Sequence, residues 1–303
     1  MIKILIADDV DTGAFDKFPK SRYEISYQPG ISNEDILLRN CDVLVIRSTR
    51  HMPGKFIEAF TGDIIATFTK GTDHIDTTAC KRNGIIVLSA NEGNSQSAAE
   101  HTLALILAAV KGVIKTDKLV REDKFTDRHF NRTELYNKKA GIIGYGSIGK
   151  RVAKLCEAFG MDVCVSEIDP KVKKRNKKVS FKSIKRLLKN CDIVSIHIPL
   201  ENNVNFLSKE KLSILKKDSI LVNTSRGGII DEDFLIKQLG KKAIRFACLD
   251  VFKNEPNVNP AFFEMDNVIL SNHIAGKTME SKKRIADEVS EKLFKHFEKR
   301  NRI

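Results

Sequence analysis

Ala140-Gly141-Ile142-Ile143-Gly144-Tyr145-Gly146-Ser147-Ile148-Gly149 is a short apolar strand that runs into Gly-x-Gly-x-x-Gly. Arg151–Phe159 then has a helical pattern, and Asp162–Val165 reads as the next strand. In that setting the glycines have separate roles. Gly144 permits a tight turn, Gly146 lets the backbone approach a pyrophosphate, and Gly149 lets helix and strand pack closely. The helix N-terminus, with unpaired N–H groups and a positive dipole end, suits phosphates, and Ser147 and Ile148 join the glycines as cofactor candidates. An acid about 20 residues further on would hold ribose hydroxyls. Glu167 lies 18 residues after Gly149 and Asp169 lies 20 after. Glu167 is preferred, as the earlier residue beyond the strand end. A carboxylate would repel a 2′-phosphate, so the expected cofactor is NAD.

Outward from this motif, short β-branched runs alternate with helical patterns. They are Ile2–Ile6, Val43–Ile46, Ile64–Phe68, Ile85–Leu88, Gly141–Ile143, Val163–Val165, Ile193–Ile198, Ser219–Asn223, Ala243–Leu249 and Val268–Leu270. Runs without polar alternation are strands buried on both faces, and with intervening helices they imply parallel sheets. Leu37–Ile46 resembles Leu187–Ile196 at an offset of 150 residues, each with a helix end, an Asn-Cys-Asp turn and a strand. The echo suggests two α/β halves built alike. Ala98–Val113 reads as a helix buried on several sides. Glu280–Lys299 reads as an amphipathic helix, with Ile285, Val289, Leu293 and Phe297 at four-residue spacing, available to pack back on the first half. Asp117–Lys138 reads as a polar, irregular surface crossing.

The 303 residues suit about two domains. Hydrophobic residues at 42% and charged residues at 30% exclude a disordered or disulfide-scaffold chain. The formal charge of +13 suits an anionic ligand, a nucleic acid or an acidic membrane surface. The largest basic block, Lys171–Lys189, holds ten Lys or Arg. It lies just past the acid and could attract the cofactor's phosphates or tolerate NADP, but a solvated face is the preferred reading; only Phe181 interrupts it as an aromatic, which argues against a nucleic-acid patch. The most apolar run, Leu103–Val110, is far short of the ~20 residues of a membrane helix. The start reads as a first strand and not as a signal peptide, and a cytoplasmic protein is expected. None of the six cysteines stand two to four residues apart, so zinc spacing is absent and reduced structural thiols are expected.

Three further segments follow strands after the nucleotide motif: Asn223–Gly228, Leu249–Pro256 and Ser271–Gly276. Ligands of open α/β sheets bind at such strand ends. The segments offer Arg226, Glu255 and His273. Hydride exchange with a 2-keto acid needs a proton donor for the new hydroxyl and a cation for the carboxylate. His273 can supply the proton, since imidazole titrates near neutral pH. Glu255 can orient it and raise its basicity. Arg226 can bind the carboxylate bidentately and polarise the keto oxygen. Singly, each also suits an ordinary surface or loop residue.

Ordered motifs along the chain resemble the D-isomer-specific 2-hydroxyacid dehydrogenases. They are Ile46–Thr49, Lys70–Asp76, Gly93–Ser95 with Ala98–His101, Gly144–Gly149, His197–Leu200, Asn223–Gly228, Asp250–Pro256 and His273–Gly276. The chain looks closest to a short D-3-phosphoglycerate dehydrogenase without a regulatory domain. The resemblance implies two Rossmann-like, doubly wound parallel-sheet domains with an active-site cleft between them. Residues 1–92 with 275–303 would bind substrate, and 93–274 would bind NAD. Arg226, Glu255 and His273 fall on the family's catalytic residues. Asp250 falls on the acid that holds the nicotinamide carboxamide, and Thr224 lies in the same cofactor region. His197 and Pro199 fall beside the adenosine half. Lys70, Gly71 and Thr72 fall on the loop that holds the substrate carboxylate. Arg47 and Ser48 fall near a distal anionic group, and Asn94 joins the substrate residues.

The implied reaction is NAD-dependent oxidation of 3-phosphoglycerate, a step of serine biosynthesis, by a homodimer. A hydroxypyruvate or glyoxylate reductase is the runner-up. An NAD-sensing corepressor-like protein is the alternative of another class. The turn Asn91-Glu92-Gly93, the loop Thr69–His74 and Phe125 in place of a common tryptophan depart from the branch, and they bear on the substrate and not on the reaction class.

Overall fold

The computed structural model describes residues 1–125 and 131–300. The chain divides into two compact units, Met1–Asn94 with Lys277–Ile303, and Ser95–Gly276. These breaks lie two residues beyond the boundaries expected from the sequence.

The first unit holds strands β1 (Ile2–Ile6), β2 (Tyr23–Tyr27), β3 (Val43–Ile46), β4 (Ile64–Thr67) and β5 (Ile86–Ser89). They form one parallel sheet in the order β2-β1-β3-β4-β5. Alternate side chains feed opposite faces, as the period of a strand requires. Ile4, Ile6, Val43, Val45 and Ile64 face the helix Met279–Arg300 through its buried Ile285, Ala286, Val289, Leu293 and Phe297. Leu5, Leu44, Ile46 and Ile65 face Ile36, Phe56, Ile57 and Cys80 from short helices on the other side. Each fully buried Ile or Leu contributes about 1.5–3 kcal/mol of hydrophobic stabilisation.

The second unit holds β6 (Lys139–Ile143), β7 (Asp162–Ser166), β8 (Ile193–Ile196), β9 (Ile220–Asn223), β10 (Phe246–Leu249) and β11 (Val268–Leu270). Its parallel order is β11-β10-β9-β8-β6-β7. One face packs on the helices Ser95–Lys111 and Ser147–Ala158. The other packs on Ile184–Asn190 and Glu232–Gly240, through Leu187, Leu188, Leu235 and Leu239. Both units are therefore doubly wound, Rossmann-like α/β layers.

The 150-residue echo marks the same joint in each unit. Asp42 accepts from the Lys3 N–H at 2.7 Å, and its carbonyl accepts from Ile64 at 3.1 Å. Asp192 accepts from the Lys139 N–H at 2.8 Å, and its carbonyl accepts from Ile220 at 2.8 Å. Each aspartate thus ties three neighbouring strands at their starts.

Some elements differ from the sequence expectation. β2 carries one buried residue in five, so Tyr23–Tyr27 shows little apolar run. The helix expected over Ala98–Val113 runs from Ser95 to Lys111 and stops because Gly112 adopts φ 67°. A second helix, Val113–Arg121, follows, so the expected irregular crossing begins after residue 121. Residues 126–130 of that crossing lie outside the described structure. No described helix is long and apolar enough to cross a membrane.

Candidate active site

Every site residue expected in the second unit lies beyond the carboxyl end of a parallel strand, where such sheets present ligand sites. Gly144–Gly149 follows β6, Glu167 follows β7 and His197–Pro199 follows β8. Thr224–Arg226 follows β9, Asp250 follows β10 and His273 follows β11.

The Gly-rich turn has the shape that a dinucleotide needs. Gly144 has φ 89°, and a Cβ there would meet the His197 carbonyl at 2.5 Å. A Cβ on Gly149 would lie 2.1 Å from the Gly144 carbonyl oxygen, so only glycine lets the helix start this close. A Cβ on Gly146 would meet nothing within 4 Å. Gly146 is also the N-cap of Ser147–Ala158 and caps it with no side chain. Open space thus faces an uncapped helix start, the chemistry of a phosphate cradle. Glu167 closes the turn: its carboxylate accepts from Tyr145 N–H at 2.8 Å and from Ile168 and Asp169 N–H at 2.7 and 2.9 Å. Asp169 instead caps the helix Pro170–Arg175, accepting from Lys171 N–H at 2.7 Å. Of the two acids, Glu167 is the one on the Gly-rich turn. All ten basic side chains of Lys171–Lys189 are exposed.

His197 sits beside the turn, its Nε2 2.8 Å from the Ser195 hydroxyl. Pro199 is exposed. The Thr224 hydroxyl is buried against the Thr102 hydroxyl at 2.8 Å, so it is engaged with the helix Ser95–Lys111.

Arg226, Glu255 and His273 come together. Glu255 Oε2 is 2.6 Å from His273 Nδ1, and Oε1 accepts from Phe252 N–H at 2.9 Å. That leaves Nε2 as the ring nitrogen for proton transfer. Burial pushes the Glu255 carboxyl up, but the His273 contact, the Phe252 N–H and the nearby Arg226 outweigh it and hold it below the ordinary range. Arg226 is set by buried Asn223, whose amide donates to the Arg226 carbonyl at 2.8 Å. Gly227 fixes the two loops together, since a Cβ there would lie 1.9 Å from the Phe252 carbonyl carbon.

His273 has φ 55°, a left-handed backbone that costs a non-glycine residue about 1–3 kcal/mol. Asp250 holds it there. The Asp250 carbonyl accepts from His273 N–H at 2.8 Å. Its carboxylate accepts from Ser271 O–H at 2.6 Å, Ile274 N–H at 3.0 Å and Ala275 N–H at 2.9 Å. His101 completes the net, its Nε2 3.0 Å from Ser271 Oγ and 3.5 Å from Asp250 Oδ1. Burial raises the Asp250 carboxyl, and these donors, His101 and Ser271 foremost, bring it below the ordinary range. The expected carboxamide-binding acid is thus fully buried, and in this structure it positions the histidine loop. Glu232 supports the neighbouring loop by accepting from Lys253 N–H at 2.6 Å, and its burial raises its carboxyl. The supporting roles of His101, Ser271 and Glu232 were not read from the sequence.

In the first unit, Arg47 and Ser48 follow β3, and Lys70–Thr72 follow β4. Thr67 Oγ1 is 2.9 Å from His74 Nε2 and 3.0 Å from Thr69 Oγ1, and Thr69 O–H donates to the Gly71 carbonyl at 2.7 Å. A trans peptide then turns the Thr72 N–H the opposite way. Arg47 donates to the Asp9 carbonyl at 3.2 Å and stands 3.9 Å from its carboxylate. Ser48 is exposed. The Asn94 side-chain oxygen is buried with no hydrogen-bond partner among the described residues. The turn Asn91-Glu92-Gly93 is held by Glu288, whose carboxylate accepts from all three N–H groups at 2.6, 3.2 and 3.2 Å.

Residues 103–275 match the family described as D-isomer specific 2-hydroxyacid dehydrogenase, NAD binding domain. The chain belongs to the D-isomer-specific 2-hydroxyacid dehydrogenase family, whose members use NAD or NADP. It is 33% identical over 303 residues to the D-3-phosphoglycerate dehydrogenase of Methanocaldococcus jannaschii, covering 97% of this chain but 57% of that protein. It is 34% identical over 264 residues to the hydroxypyruvate reductase of Thermotoga maritima, covering 86% of each. The D-lactate dehydrogenase of Aquifex aeolicus, solved with NAD and lactic acid, superposes with a TM-score of 0.82 at 26% identity, over 98% of this chain and 95% of that one.

Proposed function

We propose that the protein oxidises a D-2-hydroxy acid at C2 with NAD, and that the acid is 3-phosphoglycerate. The observation that carries the reaction class is the Glu255–His273 pair at 2.6 Å beside Arg226. Bound at the Gly-rich turn, NAD would accept the C2 hydride. Gly144, Gly146, Ser147, Ile148 and Gly149 would hold its pyrophosphate, and Glu167 would meet the ribose. His197, Pro199 and Thr224 would lie beside the remainder.

This chain's residues handle the proton and the charge. His273 Nε2 takes the C2 hydroxyl proton as the hydride leaves, and Glu255 stabilises the resulting imidazolium. Arg226 binds the carboxylate and polarises the C2 oxygen. Lys70, Gly71, Thr72 and Asn94 add to the carboxylate site. Arg47 and Ser48 meet the distal phosphate. In the reverse direction His273 returns the proton. A cytoplasmic homodimer belongs to the same proposal, and sedimentation checks the dimer.

A second substrate has its own support. Asp9 lies against Arg47, which weakens that side chain as a phosphate ligand, and the hydroxypyruvate reductase relative is 34% identical to this chain. Steady-state rates of NADH oxidation separate the two. Phosphohydroxypyruvate should give the highest kcat/KM in a panel with hydroxypyruvate and glyoxylate. Faster turnover of hydroxypyruvate would move the assignment to the reductase. No turnover of any 2-keto acid would overturn the enzyme and leave an NAD-sensing role.

A further inference from the structure

Two of the cysteines meet. The sulfurs of Cys164 and Cys191 are 3.4 Å apart and hydrogen-bonded. They come from opposite sides of β6: Cys164 lies on β7, and Cys191 ends the helix Ile184–Asn190 just before β8. Gly141 on β6 makes the room. It pairs in register with Cys164, and a Cβ there would stand 2.8 Å from the Cys191 sulfur. The thiols of Cys156 and Cys248 are pushed up to about 12 by burial, as inert structural cysteines are. Cys164 differs. It is half-buried, and its contact with the Cys191 sulfur lowers its thiol while the same contact raises that of Cys191. A half-buried thiol thus touches a fully buried one, the pairing of an accessible and a resolving sulfur.

We propose that Cys164 and Cys191 form a reversible disulfide, and that its formation loosens the cofactor site. The oxidant is a hydroperoxide. The Cys164 thiolate attacks the peroxide, an S–O bond forms, the O–O bond breaks, and hydroxide or alkoxide leaves. The Cys191 sulfur then attacks the Cys164 sulfur. The S–S bond forms, the S–O bond breaks, and the oxygen leaves as water with the Cys191 proton. Two electrons pass from the thiols to the peroxide, and a dithiol reductant reverses the change.

The sulfurs must close from 3.4 Å to about 2.0 Å, and β7 is placed to move. It is the edge strand, paired with β6 on one side and joined on the other by the short Val165–Phe181 bridge. Glu167 lies three residues beyond Cys164 and holds the Tyr145 N–H of the Gly-rich turn. A shift of β7 therefore reaches that turn. This consequence rests on the cofactor site proposed above; the disulfide itself does not.

The test treats the full chain with hydrogen peroxide and maps non-reduced peptides by mass spectrometry. NAD affinity is measured before and after. The map should join Cys164 to Cys191, dithiothreitol should restore both thiols, and the linked protein should bind NAD several-fold more weakly. Cys164→Ser, or Cys191→Ala if the first variant does not fold, should keep its NAD affinity under the same peroxide. Survival of both thiols, a link through other cysteines, or unchanged NAD affinity in the linked protein would overturn the proposal. A reduced protein that binds no NAD would contradict the cofactor site instead, and the peptide map would still decide the disulfide.

Discussion

The proposed chemistry rests on His273 and on the groups that surround it. His273→Ala should lower kcat by roughly 10²- to 10⁴-fold, the usual worth of a general base. Glu255→Gln should also lower kcat, because an amide cannot stabilise the imidazolium; pH–rate profiles of both variants check the pairing. His101→Ala removes a donor from buried Asp250, so it should cost about 1–3 kcal/mol of stability and lower kcat, with partial rescue by His101→Gln. Acid should act through the same carboxylates. Asp250 and Glu255 titrate below their ordinary values of 3.8 and 4.5 in the fold. Their stabilisation is complete above those values and is lost as pH falls through the lower folded ones. Denaturant midpoints should therefore drop on acidification below about pH 4.5, and the drop should shrink in Glu255→Gln.

At the scale of elements, the glycines of one turn divide into two kinds. Gly149→Ala puts a Cβ 2.1 Å from a backbone oxygen and should destabilise the unit. Gly146→Ala points a methyl into open space, so the fold should survive while NAD affinity falls. Calorimetry with NAD titration distinguishes the pair. The strand–turn–helix pattern made this element legible in the sequence, and Arg226, Glu255 and His273 were legible as candidates because each follows an apolar run. Other features had no local signal. The helix Val113–Arg121 buries no residue, so nothing in its pattern separates it from a polar crossing. His101 meets Ser271 across 170 residues, a contact only the folded sheet creates. The Asp250 carboxylate points inward for the same reason: its donors arrive from the loop after β11.

Over the whole molecule, a segment remote in sequence completes the first unit. Leu293 is fully buried against the first sheet, so Leu293→Ala should cost about 2–5 kcal/mol, read from denaturant unfolding. The +13 charge resolves in the same way. Its largest block is solvated surface beside Glu167, while Arg226 stands near Glu255. What remains is whether a hydride leaves C2 of a D-2-hydroxy acid. D-3-Phosphoglycerate deuterated at C2, incubated with NAD and the protein, should yield NADH labelled at C4 of the nicotinamide, with no label from the L isomer. Label released to water, or no transfer from any D-2-hydroxy acid, would contradict that chemistry.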